Sequence, residues 1–240
     1  MGHEAGLSTM YLSRLFRLQG ANMRAMFAPL AVALLVACGT LPDRADPASE
    51  APEARSAGGS PVKEAATYHE VLPLWKNADD VNAWIGARFQ YDMARAMQLS
   101  ETQRRQDARM PVHRPDTFFA APSGVCVDLA RFAVETLRTV DPAARPVYVM
   151  IEFEPVAVAG HTLRRHWIAS FQRDGRHYYF ADSKRPGHIA GPFAGTDEFI
   201  AEYARYRGRE IVAFRELASY ERQSRTIAGA QRREQARSSP

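Results

Sequence analysis

The segment LRRHWIASFQRDGRHYYFADS, residues 163–183, sets two runs rich in aromatic and apolar residues on either side of RDGR. Runs of this kind joined by a short glycine-containing link form an antiparallel β-hairpin. If Arg173, Asp174 and Gly175 form a three-residue loop with Gly175 in the left-handed conformation, Gln172 pairs with Arg176 and His166 stands opposite Asp182. Directly opposed residues share a face, with Cβ atoms about 4.5 to 5.5 Å apart, close enough for an imidazole to bond a carboxylate. A two-residue loop would instead set Asp182 opposite Trp167, on the other face. A paired histidine and aspartate therefore predict the looser turn.

The same count selects among the seven histidines. His161 lies five residues before His166 and points to the opposite face; His177 adjoins the turn, and His188 follows Pro186 and Gly187 in an irregular loop. His3, His69 and His113 sit in polar flanks. The HTLRRH pair lacks the i, i+4 spacing that lets a helix present two imidazoles to one metal. Asp79 and Asp80 are too sparse for a calcium loop. No metal site and no cofactor are expected.

Two cysteines remain, Cys38 and Cys126. Cys38 follows the apolar run FAPLAVALLVA, residues 27–37, which a basic segment with Arg14, Arg17 and Arg24 precedes. Eleven residues are too few for a bilayer span of about 20, but suit a signal-peptide core of about 7 to 15. LVAC resembles the lipobox of bacterial lipoproteins. That resemblance implies a signal peptide over residues 1–38, lipidation of Cys38 and anchoring in the bacterial cell envelope on the periplasmic side. Gly39 after the cysteine fits outer-membrane sorting in such proteins, and a short basic region makes Met23 or Met26 the expected start.

With Cys38 lipidated, Cys126 has no intramolecular partner, so its thiol is structural or chemical. In SGVCVDLA, residues 123–130, Ser123 and Gly124 precede an apolar series at Cys126, Leu129, Ala133 and Leu137, with Asp128, Arg131, Glu135 and Arg138 on other faces. This is an amphipathic helix that begins at the cysteine. A thiol in the first turn meets the positive end of the helix dipole, which favours the thiolate, and a nearby imidazolium would favour it further.

Residues 39–66, rich in Ala, Pro, Ser and charge without apolar periodicity, read as a flexible tether. Residues 218–240 are basic, Gln-rich and expected to be disordered. Residues 67–217 suffice for one domain that buries about 68 to 70% of its unfolded surface. The net charge of +4 comes from scattered arginines and the flanks. No basic stripe interleaved with aromatics is present, so no nucleic-acid partner is expected.

A cysteine at a helix start, a strand carrying HWIASF and a strand ending in YYFADS, with VNAWIGARFQYD upstream, are similar to the transglutaminase-like superfamily. The match is nearest to its bacterial transglutaminase-like cysteine proteinases. The resemblance implies an α+β, papain-like core in which the Cys126 helix packs on an antiparallel sheet of four strands, near residues 147–153, 166–172, 177–182 and 211–215. It implies a catalytic triad of Cys126, His166 and Asp182 that transfers an acyl group through a thioester, with a protein or peptide as substrate. The backbone N–H of Cys126 and a side chain from Gln90, Tyr91 or Trp84 are the candidate oxyanion donors. Hydrolysis is the favoured outcome. A crosslinking transferase and a non-catalytic lipoprotein that binds a peptide or an envelope partner are the alternatives.

Overall fold

The computed structural model describes residues 49–56, 59–102, 110–158 and 161–221. The expected signal segment, Cys38 and nearly all of the basic tail lie outside the described residues. The helices are α1 (Tyr68–Val71), α2 (Ala78–Arg88), α3 (Met93–Thr102), α4 (Pro115–Ala120), α5 (Cys126–Val140) and α6 (Thr196–Arg207). The strands are β1 (Gln90–Tyr91), β2 (Ser123–Gly124), β3 (Val147–Val158), β4 (His161–Arg173), β5 (Arg176–Phe180), β6 (Ala190–Phe193) and β7 (Ile211–Leu217). The fold is α+β: five strands form one antiparallel sheet in the order β6-β5-β4-β3-β7. The four expected strands are all in it, and β6 adds an edge that the sequence reading lacked.

Alternation along the central strands gives the sheet two apolar faces, as the period of two demands. Tyr148, Ala169, Phe171 and Phe180 turn to the side where α5 packs, among Trp84, Phe118, Leu129 and Phe132. Val149, Ile151, Phe153, Ile168 and Tyr179 turn to the side of α6, against Phe199 and Tyr203. Trp75, Trp84, Phe89 and Phe118 are all buried core. Trp84 stacks on Phe119 with centroids 4.9 Å apart.

The β4–β5 turn corrects the sequence reading. Gln172 pairs with His177 and Arg173 with Arg176, so the loop is the two-residue Asp174–Gly175. Both residues have positive φ, 51° and 71°, the conformation that Asp-Gly adopts in the tight hairpin turn whose twist matches the strands. This register would send Asp182 to the face away from His166. Strand β5 stops at Phe180, however, and Ala181 takes a left-handed conformation with φ 58°. That one residue breaks the alternation and returns Asp182 to the face of His166.

A second correction concerns residues 49–56, read as part of a flexible tether. They form a strap on the domain. Glu53 N–H donates to Lys184 O at 3.0 Å and Ser56 N–H to Pro186 O at 3.1 Å. The Ser183 hydroxyl donates to Glu50 O at 3.1 Å, and the buried Lys184 ammonium lies 2.8 Å from Glu53. The strap is held by ions and backbone groups, which leave no hydropathy pattern.

Candidate active site

Helix α5 starts at Cys126 because the chain before it is pinned. Gln90 and Tyr91 of β1 pair in parallel with Ser123 and Gly124 of β2. Asp128, expected on an outer face, is instead fully buried. Its carboxylate accepts the Val125 N–H at 3.0 Å and the His113 N–H at 2.8 Å. Arg95 closes on the same carboxylate with two bonds of 2.7 and 2.8 Å. The reason is its place three residues after the N-cap, where an acid reaches back to the N-cap backbone N–H. A Cβ on Gly124 would lie 2.9 Å from Cβ of Asp128, so glycine is what lets β2 run that close to the helix start.

His166 comes from β4 on the α6 face and lies nearly parallel to the Tyr203 ring, centroids 6.0 Å apart. Its Nε2 is 3.0 Å from Asp182 Oδ1. Asp182 is held in turn: Lys184 N–H donates to Oδ1 at 3.0 Å, the Tyr203 hydroxyl to Oδ2 at 3.0 Å, and Arg185 approaches Oδ2 at 3.4 Å. Burial pushes the Asp182 carboxyl up, but the hydrogen bond and charge of His166, with Arg185 and Arg207, hold it well below the usual carboxylate range.

The other ring nitrogen meets a residue that the sequence reading did not select. Glu50 Oε2 lies 2.5 Å from His166 Nδ1, off the line of a well-aligned hydrogen bond, so the contact is mainly ionic. Arg207 clamps both oxygens of Glu50, Nη1 to Oε2 at 3.2 Å and Nη2 to Oε1 at 2.9 Å. Arg209 stands 3.8 Å from Oε1. Burial alone would lower the affinity of the ring for its proton. Glu50 first, then Asp182 and the neighbouring Cys126 outweigh it and raise His166 well above its ordinary value. Glu50 moves the other way: burial raises it, and His166 and Arg207 lower it overall.

Asp182 is thus bonded to the ring of His166, and Cys126, at the start of α5, lies near enough to that ring to act on its charge. The site is closed. Cys126 is 8% exposed, His166 0%, Asp182 5% and Glu50 6%. Of the three oxyanion candidates, Tyr91 is within electrostatic reach of Cys126. Burial, followed by the charges of Cys126 and Glu50, raises its hydroxyl, so it stays protonated and able to donate. Trp84 is locked in the core by its stacking, and the Gln90 side chain is exposed. Sequence reasoning missed Glu50, Tyr203 and Arg207. The last two lie four residues apart on α6, on one face of the helix, but no local pattern shows that they face the strand that carries His166. Neither a protein-family model nor a curated protein matches the chain by sequence.

Proposed function

We propose that the protein is a thiol acyl-transfer enzyme of transglutaminase-like, papain-like type, anchored in the bacterial envelope through Cys38, and that it hydrolyses amide bonds of proteins or peptides. The observation that carries this reading is His166, bonded through Nε2 to Asp182 and neighboured by Cys126 at the first turn of a helix. A thiol, an imidazole and a carboxylate linked in that order are what nucleophilic acyl transfer needs.

The steps follow from the groups present. The Cys126 thiolate attacks the amide carbonyl carbon, forming an S–C bond and placing charge on the oxygen. The Cys126 backbone N–H at the open start of α5 and the protonated Tyr91 hydroxyl are the donors proposed for that charge; losing one such donor typically costs about 2.7 to 4 kcal/mol in the transition state. The C–N bond then breaks, its electron pair stays on nitrogen, and His166 Nδ1 supplies the proton to the leaving amine. Water attacks the thioester with His166 taking its proton; the S–C bond breaks, releasing the acid and restoring the Cys126 thiolate and the protonated ring. Asp182 keeps the ring oriented and charged when it must be.

Incubating the protein with casein and a fluorescent primary amine, beside a Cys126→Ala variant, tests the reading. Fragments that depend on Cys126 are the expected result. Stable amine incorporation without fragments would establish a transferase, and no difference between the two proteins would favour a non-catalytic binding role.

A further inference from the structure

We infer that the cradle made by Arg207 and Arg209 beside His166 is a subsite for a carboxylate on the leaving side of the substrate, and that Glu50 fills it from within the chain. The inference rests on the thiol-hydrolase reading above. It commits to one substrate class: peptides in which a carboxylate lies within two or three bonds of the leaving nitrogen.

The position of the carboxylate fixes the side. Glu50 Oε2 sits against Nδ1, the nitrogen that must hand its proton to the departing amine. A substrate that reacts has to put its leaving nitrogen there in place of Oε2. The second oxygen of Glu50 rests on Arg207 Nη2 at 2.9 Å, with Arg209 Nη1 at 3.8 Å. In a C-terminal residue the amide nitrogen and the α-carboxylate are separated by one carbon, so nitrogen at Nδ1 sets that carboxylate on the arginines. An aspartate in the same position brings its side-chain carboxylate there from one carbon further.

The charge of the cradle fixes the chemistry. The Arg207 side chain is fully buried and that of Arg209 nearly so. Arg207 lies over the Phe153 and Tyr203 rings, 5.0 and 5.7 Å from their centroids, and Arg209 over Phe153 at 4.4 Å. These contacts hold both guanidinium groups where they are when the strap departs. Removing Glu50 without a replacement takes away a carboxylate that the imidazole and both guanidinium groups face, and breaking a buried ionic contact from one side is unfavourable. A neutral ligand therefore displaces the strap poorly, whereas an anion exchanges for it. In the place of Oε1 a substrate carboxylate meets Arg207 Nη2, with Arg209 Nη1 behind it, and a planar guanidinium suits such a group.

On this inference the enzyme releases the C-terminal residue of an acid-ended peptide. The C–N bond breaks, the nitrogen keeps the electron pair and takes the Nδ1 proton, and water later supplies hydroxyl to the acyl carbon and a proton to the site.

The test uses the full chain with Glu50→Gln, which removes the Glu50 charge at nearly constant volume, and Glu50→Gln combined with Arg209→Gln. Alkylation of Cys126 by iodoacetate and by iodoacetamide is followed by mass spectrometry. The expected result is that iodoacetate, relative to iodoacetamide, reacts about tenfold better with the single variant than with the double variant, as one charge-assisted contact provides. Equal ratios in the two variants overturn the subsite while leaving the reactive thiol intact. Failure of both reagents to label Cys126 faster than an unfolded control contradicts the enzyme reading itself, and the subsite with it. Peptides ending in a free acid, in an amide, or with an internal aspartate in the leaving position then separate the sources of the carboxylate. A C-terminal α-carboxylate subsite predicts cleavage of the first only, and equal cleavage of all three contradicts any carboxylate requirement.

Discussion

Glu50 and Asp182 hold opposite nitrogens of His166: Oε2 of Glu50 is 2.5 Å from Nδ1 and Oδ1 of Asp182 is 3.0 Å from Nε2. A ring held between two carboxylates favours its protonated form, and on the proposed function Nδ1, the nitrogen that Glu50 covers, is the one that serves the reaction. If the protein is the proposed thiol hydrolase, the strap that brings Glu50 has to move before a substrate amide can enter.

The hold of the strap depends on pH in both directions. Glu50 is held below its ordinary value, so its contribution is full above the unfolded carboxylate range and is lost as pH falls through the depressed value. His166 is raised above its ordinary value, so its contribution is full below the unfolded imidazole value and is lost as pH rises through the raised one. The strap is held most firmly between those limits. Hydrogen exchange at the amides of Glu53 and Ser56, corrected for intrinsic rate, is expected to show greatest protection in the mildly acidic range between the ordinary carboxylate and imidazole values, and to lose it on further acidification and, at higher pH, as His166 gives up its proton. Protection independent of pH would contradict the coupling.

Arg207 is the buried cation on which the strap depends. Arg207→Ala leaves the Glu50 carboxylate with only the His166 ring and the more distant Arg209, and breaking a buried pair from one side costs about 3 to 5 kcal/mol. Urea denaturation is the measurement. In a double-mutant cycle with Glu50→Gln the two effects should be strongly non-additive, because the residues share both guanidinium contacts. Simple addition would place the energetic role of Arg207 elsewhere.

Ala181 is the hinge that aims Asp182. A left-handed conformation costs an L-residue about 1 to 2 kcal/mol, and a β-branched side chain fits it worst. Ala181→Val is expected to lower stability by more than about 1 kcal/mol and to slow alkylation of Cys126, whereas Ala181→Gly keeps that reactivity. A valine variant with unchanged Cys126 reactivity would show that Asp182 reaches His166 without the kink.

These residues also mark how far the sequence could be read. The hairpin, the helix that starts at Cys126 and the choice of His166 among seven histidines rest on periodicity and spacing, which are local. The register failed because two loops, of two or three residues, fit RDGR, and the choice between them was made by assuming that β5 runs straight to Asp182. The kink at Ala181 has no local signal, since alanine is not a residue that asks for positive φ. Asp128 looked like a solvated face because an amphipathic count cannot see Arg95 arriving from α3. Glu50 was hidden most thoroughly: its partner Arg207 is 157 residues away, and its segment has the composition of a linker because ions rather than apolar side chains dock it.

The most direct measurement is the intact mass of the protein after mixing with p-nitrophenyl acetate, for wild type and for the Glu50→Gln, His166→Ala and Cys126→Ala variants. The account predicts an acetyl adduct on Cys126 that forms and then decays by hydrolysis, forms faster in Glu50→Gln, and is lost or greatly slowed in His166→Ala. An adduct that never forms, or one that forms on Cys126 at the same rate with and without His166, would contradict it.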